Sequence, residues 1–129
     1  MGVIYGDWRQ PSGQFLLSAA NQSIVFYRHS TVNNDWWSLQ STNLSLIDWT
    51  NVVVTWHHVF RNVVIYANGK EVGKRMYSAN ETFYGPTGKP YMIGNDGRAG
   101  DHQFHGSVMD LYVFDEALSL DEIDRKSVV

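Results

Sequence analysis

Residues 49–72 read WTNVVVTWHHVFRNVVIYANGKEV, and the fold is decided there. Two β-branched runs, 52–56 and 63–66, are separated by a polar corner, and the second run leads into Asn68-Gly69. An Asn-Gly pair accepts the positive φ angles of a type I′ turn, whose twist matches that of its flanking strands. The stretch therefore predicts a meander of three antiparallel strands. In the first, Val52, Val54 and Trp56 share one face and Val53, Thr55 and His57 the other, and the first set makes the better core face.

On the N-terminal side, residues 3–5 suit a short strand, 6–13 a turn-rich loop around Pro11-Ser12-Gly13, and 14–18 and 23–29 two further strands. In the last of these Ile24, Phe26 and Arg28 alternate with Val25, Tyr27 and His29, so both faces are largely apolar and the strand belongs in a sheet interior. A polar loop, 30–35, leads to a strand over 36–40. Neighbouring side chains in a strand point to opposite faces, so Trp36 and Trp37 cannot both enter one core. A connector, 41–48, carries Leu44 and Leu46 pointing alike.

On the C-terminal side the chain is irregular over 76–90, with a strand expected at 91–94 and a loop, NDGRAGDHQFH, over 95–105. Residues 107–114, SVMDLYVF, predict another strand that carries Asp110 in an apolar run. Ser119 with Glu122 has the capping-box spacing and predicts a helical turn or two over 120–126. Short strands between closely spaced turn signals predict an all-β, antiparallel two-sheet sandwich with a short C-terminal helical turn.

Composition agrees. A chain of 129 residues suits one domain, residues 1–129, that buries roughly two thirds of its unfolded surface. Hydrophobic residues make up 43% and charged residues 18%, with five Trp, seven Tyr and six Phe, which excludes disorder. Ten Lys and Arg against 13 Asp and Glu leave a formal charge of -3 and no basic run, which argues against nucleic acid as a partner. There are no cysteines, hence neither disulfides nor thiolate metal sites. The apolar runs fall far short of the roughly 20 residues needed for membrane insertion. The start, MGVIYGDWRQ, lacks a signal peptide's apolar core, so the chain is either made in the cytoplasm or cut from something larger. Asn21, Asn43 and Asn80 open Asn-x-Ser/Thr sequons.

Two segments resemble the laminin G-like, or concanavalin A-like jelly-roll, lectin and glucanase superfamily. The first is carried by Trp49, residues 52–56, Ile65-Tyr66 and Asn68-Gly69. The second is carried by Ile93-Gly94, Phe104-x-Gly106, residues 108–114 and Ala117-Leu118-Ser119 with Glu122-Ile123. The resemblance implies a jelly-roll sandwich placed outside the cell or on its surface, in recognition or adhesion. It also implies calcium at the rim of the sandwich. The chain departs from the family at Asn51, where many members have histidine, and at Met109, where an acidic pair usually begins. It also lacks the opening strand that usually precedes the position of Tyr5. Either residues 3–5 replace that strand, or an N-terminal sheet edge is left bare to pair with another chain, a homodimer being the commonest case.

Calcium takes six to eight oxygen ligands. Asn95, Asp96 and Asp101 supply three oxygen-bearing side chains beside Gly97 and Gly100; the plain alternative is a solvated turn in which they bond their own backbone. Sugar rings stack their C–H faces on aromatic planes, and amide, acid, histidine or arginine neighbours then bond the hydroxyls. Trp8 with Arg9, and Trp36 or Trp37 with Asn34 and with His102 on the later loop, form a candidate platform. Otherwise the core takes Trp49, Trp56 and one of the pair, while Trp8 covers a sheet edge. The His57-His58 and His102/His105 pairs have the wrong spacing for a shared strand face, and corner histidines explain them. A glycan hydrolase needs two carboxylates across the scissile bond; Glu122-Ile123-Asp124 sits in a predicted helix, where the side chains diverge. The reading is a non-catalytic module that binds a glycan or a protein surface through loops 6–13, 30–37 and 94–106 at one rim, assisted by calcium. The alternative is an assembly domain that pairs through the N-terminal edge and takes no small ligand.

Overall fold

The computed structural model describes residues 2–7, 14–32, 35–85, 91–94 and 103–126. Its elements are β1 (Gly2–Gly6), β2 (Phe15–Ala20), β3 (Ser23–His29), β4 (Trp36–Gln40), β5 (Val52–His57), β6 (Asn62–Ala67), β7 (Lys70–Met76), β8 (Met92–Ile93) and α1 (Leu120–Lys126). The expected meander forms one sheet in the order β5-β6-β7, with Val52 opposite Ala67 and His57 opposite Asn62. Asn68 and Gly69 both take positive φ, 50° and 81°, as a type I′ corner requires. A second, five-stranded sheet runs β4-β3-β2-β1-β8, and every strand pairing is antiparallel. The architecture is the all-β, two-sheet antiparallel sandwich that the sequence predicts.

The sheets meet through Ile24, Phe26, Trp37 and Leu39 on one side and Val63 and Ile65 on the other. Val52, Val54 and Trp56 pack against this cluster, as do Leu44 and Leu46 from the connector. The connector crosses from sheet to sheet: the Ser41 N–H donates to the Ile24 carbonyl, and the Thr42 N–H donates to the Val72 carbonyl. Strand β6 is buried on both faces, because Val64 and Tyr66 on its outer side are covered by Ile123 of α1, with Val53 and Leu118 beside them. That helix starts where the capping box places it. The Glu122 N–H donates to Ser119 Oγ at 3.2 Å, and the Ser119 N–H donates to Glu122 Oε1 at 3.2 Å.

Three expectations are corrected. The N-terminal strand is not a bare edge: β1 lies between β2 and β8, where a bulge between Val3 and Tyr5 adjusts its register. Gly6 makes this packing possible, since a Cβ there would sit 2.4 Å from the Phe15 carbonyl oxygen. Trp49 is not core but 67% exposed, because it lies on the connector before the meander begins. Residues 107–114 form no strand; they run irregularly and exposed, broken at Asp110, whose φ of 54° no strand tolerates.

Candidate functional site

Strand pairing decides the fate of the adjacent tryptophans. Arg28 is opposite Trp37 and His29 is opposite Trp36. The Arg28 face of β3 looks inward, so Trp37 enters the core at 8% exposure, with Trp56, Tyr77 and Phe83 each meeting it edge-on at 6.1 Å. Arg75 closes the remaining ring face: its guanidinium carbon stands 4.7 Å from the Trp37 centroid while Nη1 donates to the Ser38 carbonyl at 2.6 Å. Trp37 therefore offers no platform to a ligand, a correction to its place among the candidate binding residues.

Trp36 is on the other face, half-buried at the rim. Its ring lies nearly parallel to that of His29, 4.7 Å away at 12°, and Tyr27 meets it edge-on at 6.4 Å. Tyr84 covers His29 from another side at 4.8 Å. The backbone around them is laced to the 81–84 segment: the Thr31 N–H donates to the Thr82 carbonyl, the Tyr84 N–H to the His29 carbonyl, and Ser30 Oγ to Glu81 Oε1 at 2.6 Å. The Thr31 and Thr82 hydroxyls also bond each other. The Trp36 backbone N–H donates to Asp35 Oδ1 at 2.7 Å, which fixes an exposed carboxylate at the start of β4. The result is a cluster of aromatic rings in which Trp36 and Tyr84 are partly exposed, tied by its backbone to the 81–84 segment.

Behind this rim, inside the sandwich, Arg28 lies 4.7 Å from the centroid of Trp56 and 5.5 Å from that of Phe83, and its Nη2 donates to the Tyr84 carbonyl at 3.2 Å. Burial pushes the Arg28 guanidinium below its ordinary value, against the opposing pull of Tyr91 and Tyr77. Burial also raises the Tyr91 phenol, helped by Asp7 and Tyr5 and opposed by Arg28. Tyr91 stacks on Tyr5 and Phe15 at 5.6 and 5.3 Å, so the inner end of the sandwich is closed by aromatic rings around one cation.

Trp8, Arg9, Asn34 and His102, and the calcium set Asn95, Asp96 and Asp101, lie outside the described residues. Their anchors are described, and they divide the three loops expected at one rim. Asp7 and Gln14 bracket the first loop and His29 and Trp36 the second, all at the same end of the larger sheet. The third is anchored elsewhere. The Gly94 N–H donates to the Ile4 carbonyl, the Phe104 N–H donates to the Gly94 carbonyl, and Gln103 bridges Val3, so that loop leaves beside the middle of β1. Among the described residues no group of His, Asp or Glu side chains is placed to hold a metal.

At the opposite end, Asn21, Gln22, Ser23, Gln40 and Asn43 line an open cleft of about 490 Å³. Sequence reasoning missed it, because only the pairing of β3 with β4 brings Gln40 beside Ser23, to which its Nε2 donates at 2.9 Å. Glu122 is held by the helix cap and Ile123 is buried, so the segment that spells part of a hydrolase pattern serves structure.

Two antiparallel sheets around an aromatic core define a jelly-roll β-sandwich. Residues 3–124 match the laminin G family described as the concanavalin A-like lectin/glucanases superfamily, and the chain belongs to it. It is also similar to the crystal structure of an S-layer domain-containing protein from Clostridium thermocellum, with a TM-score of 0.50 and 23% identity. That likeness covers 98% of this chain and 62% of the other. No curated protein sequence matches it.

Proposed function

We propose that the chain is a non-catalytic recognition module that binds a glycan at the rim formed by Trp36, Tyr84 and the 30–35 loop. The observation that carries this reading is the placement of Trp36. Its partner Trp37 is closed off in the core, while Trp36 stands partly exposed on a parallel His29 ring, with the Asp35 carboxylate held by the Trp36 backbone N–H. A ring plane with hydroxyl and carboxylate neighbours suits the C–H face and hydroxyl edge of a sugar. Trp8, Arg9 and Asn34 belong to the two loops whose anchors share that end of the sheet. Calcium, in this reading, is held by Asn95, Asp96 and Asp101, in a loop whose two ends are pinned together beside β1. Membership in a superfamily of lectins and glucanases, together with an S-layer domain-containing neighbour, supports a place outside the cell or on its surface.

A glycan-array screen with and without EDTA tests both parts. Binding by the parent that Trp36→Ala abolishes while the fold stays intact is the expected result, with EDTA weakening it. A parent that binds no glycan sinks the proposal. So does binding that survives Trp36→Ala and is lost in Asn43→Ala, which moves the site to the amide-lined cleft. Binding that is indifferent to EDTA removes the calcium.

A further inference from the structure

We propose that Asn68 is a deamidation site whose reaction the closed corner of the meander holds back. Of the nine asparagines in the chain, Asn68 alone is followed by glycine. The reaction begins when the Gly69 backbone nitrogen attacks Asn68 Cγ: the N–Cγ bond forms, the Cγ–Nδ2 bond breaks, and ammonia leaves with the Gly69 amide proton. Water then opens the resulting succinimide at either carbonyl and leaves aspartate or isoaspartate at position 68. No enzyme or cofactor takes part. A side chain on the following residue would crowd the attacking nitrogen, and Gly69 has none. Asn68 is also exposed, so water reaches the ring.

The fold opposes the first step in two ways. Asn68 and Gly69 have φ of 50° and 81°, which are type I′ angles. In that turn ψ of the first central residue is about +30°, which carries the next nitrogen to the side of the Cα–C bond away from Cβ, and so away from Cγ. The side chain is held as well. Asn68 Oδ1 accepts the Asn51 N–H at 2.9 Å while the Asn68 N–H donates to the Asn51 carbonyl at 2.8 Å, so main chain and side chain together clamp the residue to the end of the connector. Attack therefore waits for the clamp and the turn to open. Isoaspartate, once formed, adds a methylene to the main chain inside a two-residue turn and offsets Ala67 from Lys70, its partner across the corner. The modified chain loses the corner that organises the smaller sheet. This inference stands independently of the glycan reading.

Peptide mass spectrometry on the chain held at mildly alkaline pH follows the modification at position 68. The folded parent is expected to deamidate there about tenfold or more slowly than the same chain unfolded in guanidinium chloride at equal pH and temperature. Amide exchange at Asn51 and Asn68 measures the opening of the clamp separately, and denaturant added below the unfolding transition should speed exchange and deamidation together. The isoaspartate-bearing fraction, once isolated, should melt below the parent. A folded chain that deamidates at position 68 as fast as the unfolded one overturns the proposal. So does an unfolded chain in which position 68 stays intact while another asparagine is modified, or a deamidation rate that does not follow the exchange of the clamp.

Discussion

Arg28 is the residue where charge and packing meet most sharply. It occupies a position that strand alternation assigns to the inner face, with Ile24 and Phe26, and there it is sandwiched by Trp56 and Phe83 rather than solvated. Its Nη2 reaches the Tyr84 carbonyl, while its Nε finds no acceptor among the described residues. A guanidinium is flat, weakly hydrated and suited to ring faces, whereas an ammonium is a strongly hydrated point charge. Arg28→Lys should therefore lose the ring contacts and still bury a cation, costing about 1–2 kcal/mol. Arg28→Met keeps the volume and removes the buried charge, and should lie within about 1 kcal/mol of the parent. Urea denaturation of the two variants checks the order. A Lys variant as stable as the parent, with Met well below it, would show that the charge itself is required.

Among the elements, α1 shows how a weak local signal becomes stable structure. Seven residues cannot hold a helix alone, because nucleation is too costly at that length. The capping box sets the start, and Ile123, 1% exposed against Val64 and Tyr66, supplies the docking. Ile123→Ala should cost about 3 kcal/mol and Ser119→Ala about 1 kcal/mol. Thermal melts measure both, and faster amide exchange at Val64 and Tyr66 in the Ile123 variant would confirm that the helix shields β6. The same elements show what a sequence can disclose. The meander and the cap were legible because each is written in neighbouring residues, a turn pair and a Ser-x-x-Glu spacing. Residues 107–114 misled because an apolar run records what a strand needs on its faces and is silent on whether another backbone is there to bond it. Trp49 misled because size favours burial, yet it lies on the connector before β5 begins, where its ring is left outside. For Trp36 and Trp37 the sequence required opposite faces. Which one faced inward depended on pairing with Arg28 and His29, a long-range register that neither tryptophan encodes. The amide cleft was hidden for the same reason.

On the scale of the whole molecule, Tyr66 in the smaller sheet and Tyr91 beside the larger have phenols raised above their ordinary value, and together they make stability respond to alkali. Tyr66 lies on β6 of the smaller sheet, raised by burial and then by Glu71, its cross-strand neighbour. Tyr91 sits next to β8 of the larger sheet, raised by burial and then by Asp7, with Arg28 opposing. In the unfolded chain both titrate near about 10. A folded value above the unfolded one means that the unfolded state loses its proton first. The stability tied to each neutral phenol is then fully present below about pH 10 and is lost as pH rises through the folded values. The chain should therefore show a flat stability profile from neutral pH to about 9 and a steepening decline beyond about 10. Tyr66→Phe and Tyr91→Phe each remove one ionisable group while keeping the ring, so each should flatten part of the decline, and the double variant should flatten more than either. Urea midpoints measured from neutral to strongly alkaline pH, with absorbance near 295 nm following phenolate formation, would show this. Parent and double variant falling in parallel above about pH 10 would mean that ionisation elsewhere governs alkaline unfolding, and that neither sheet depends on its neutral tyrosine.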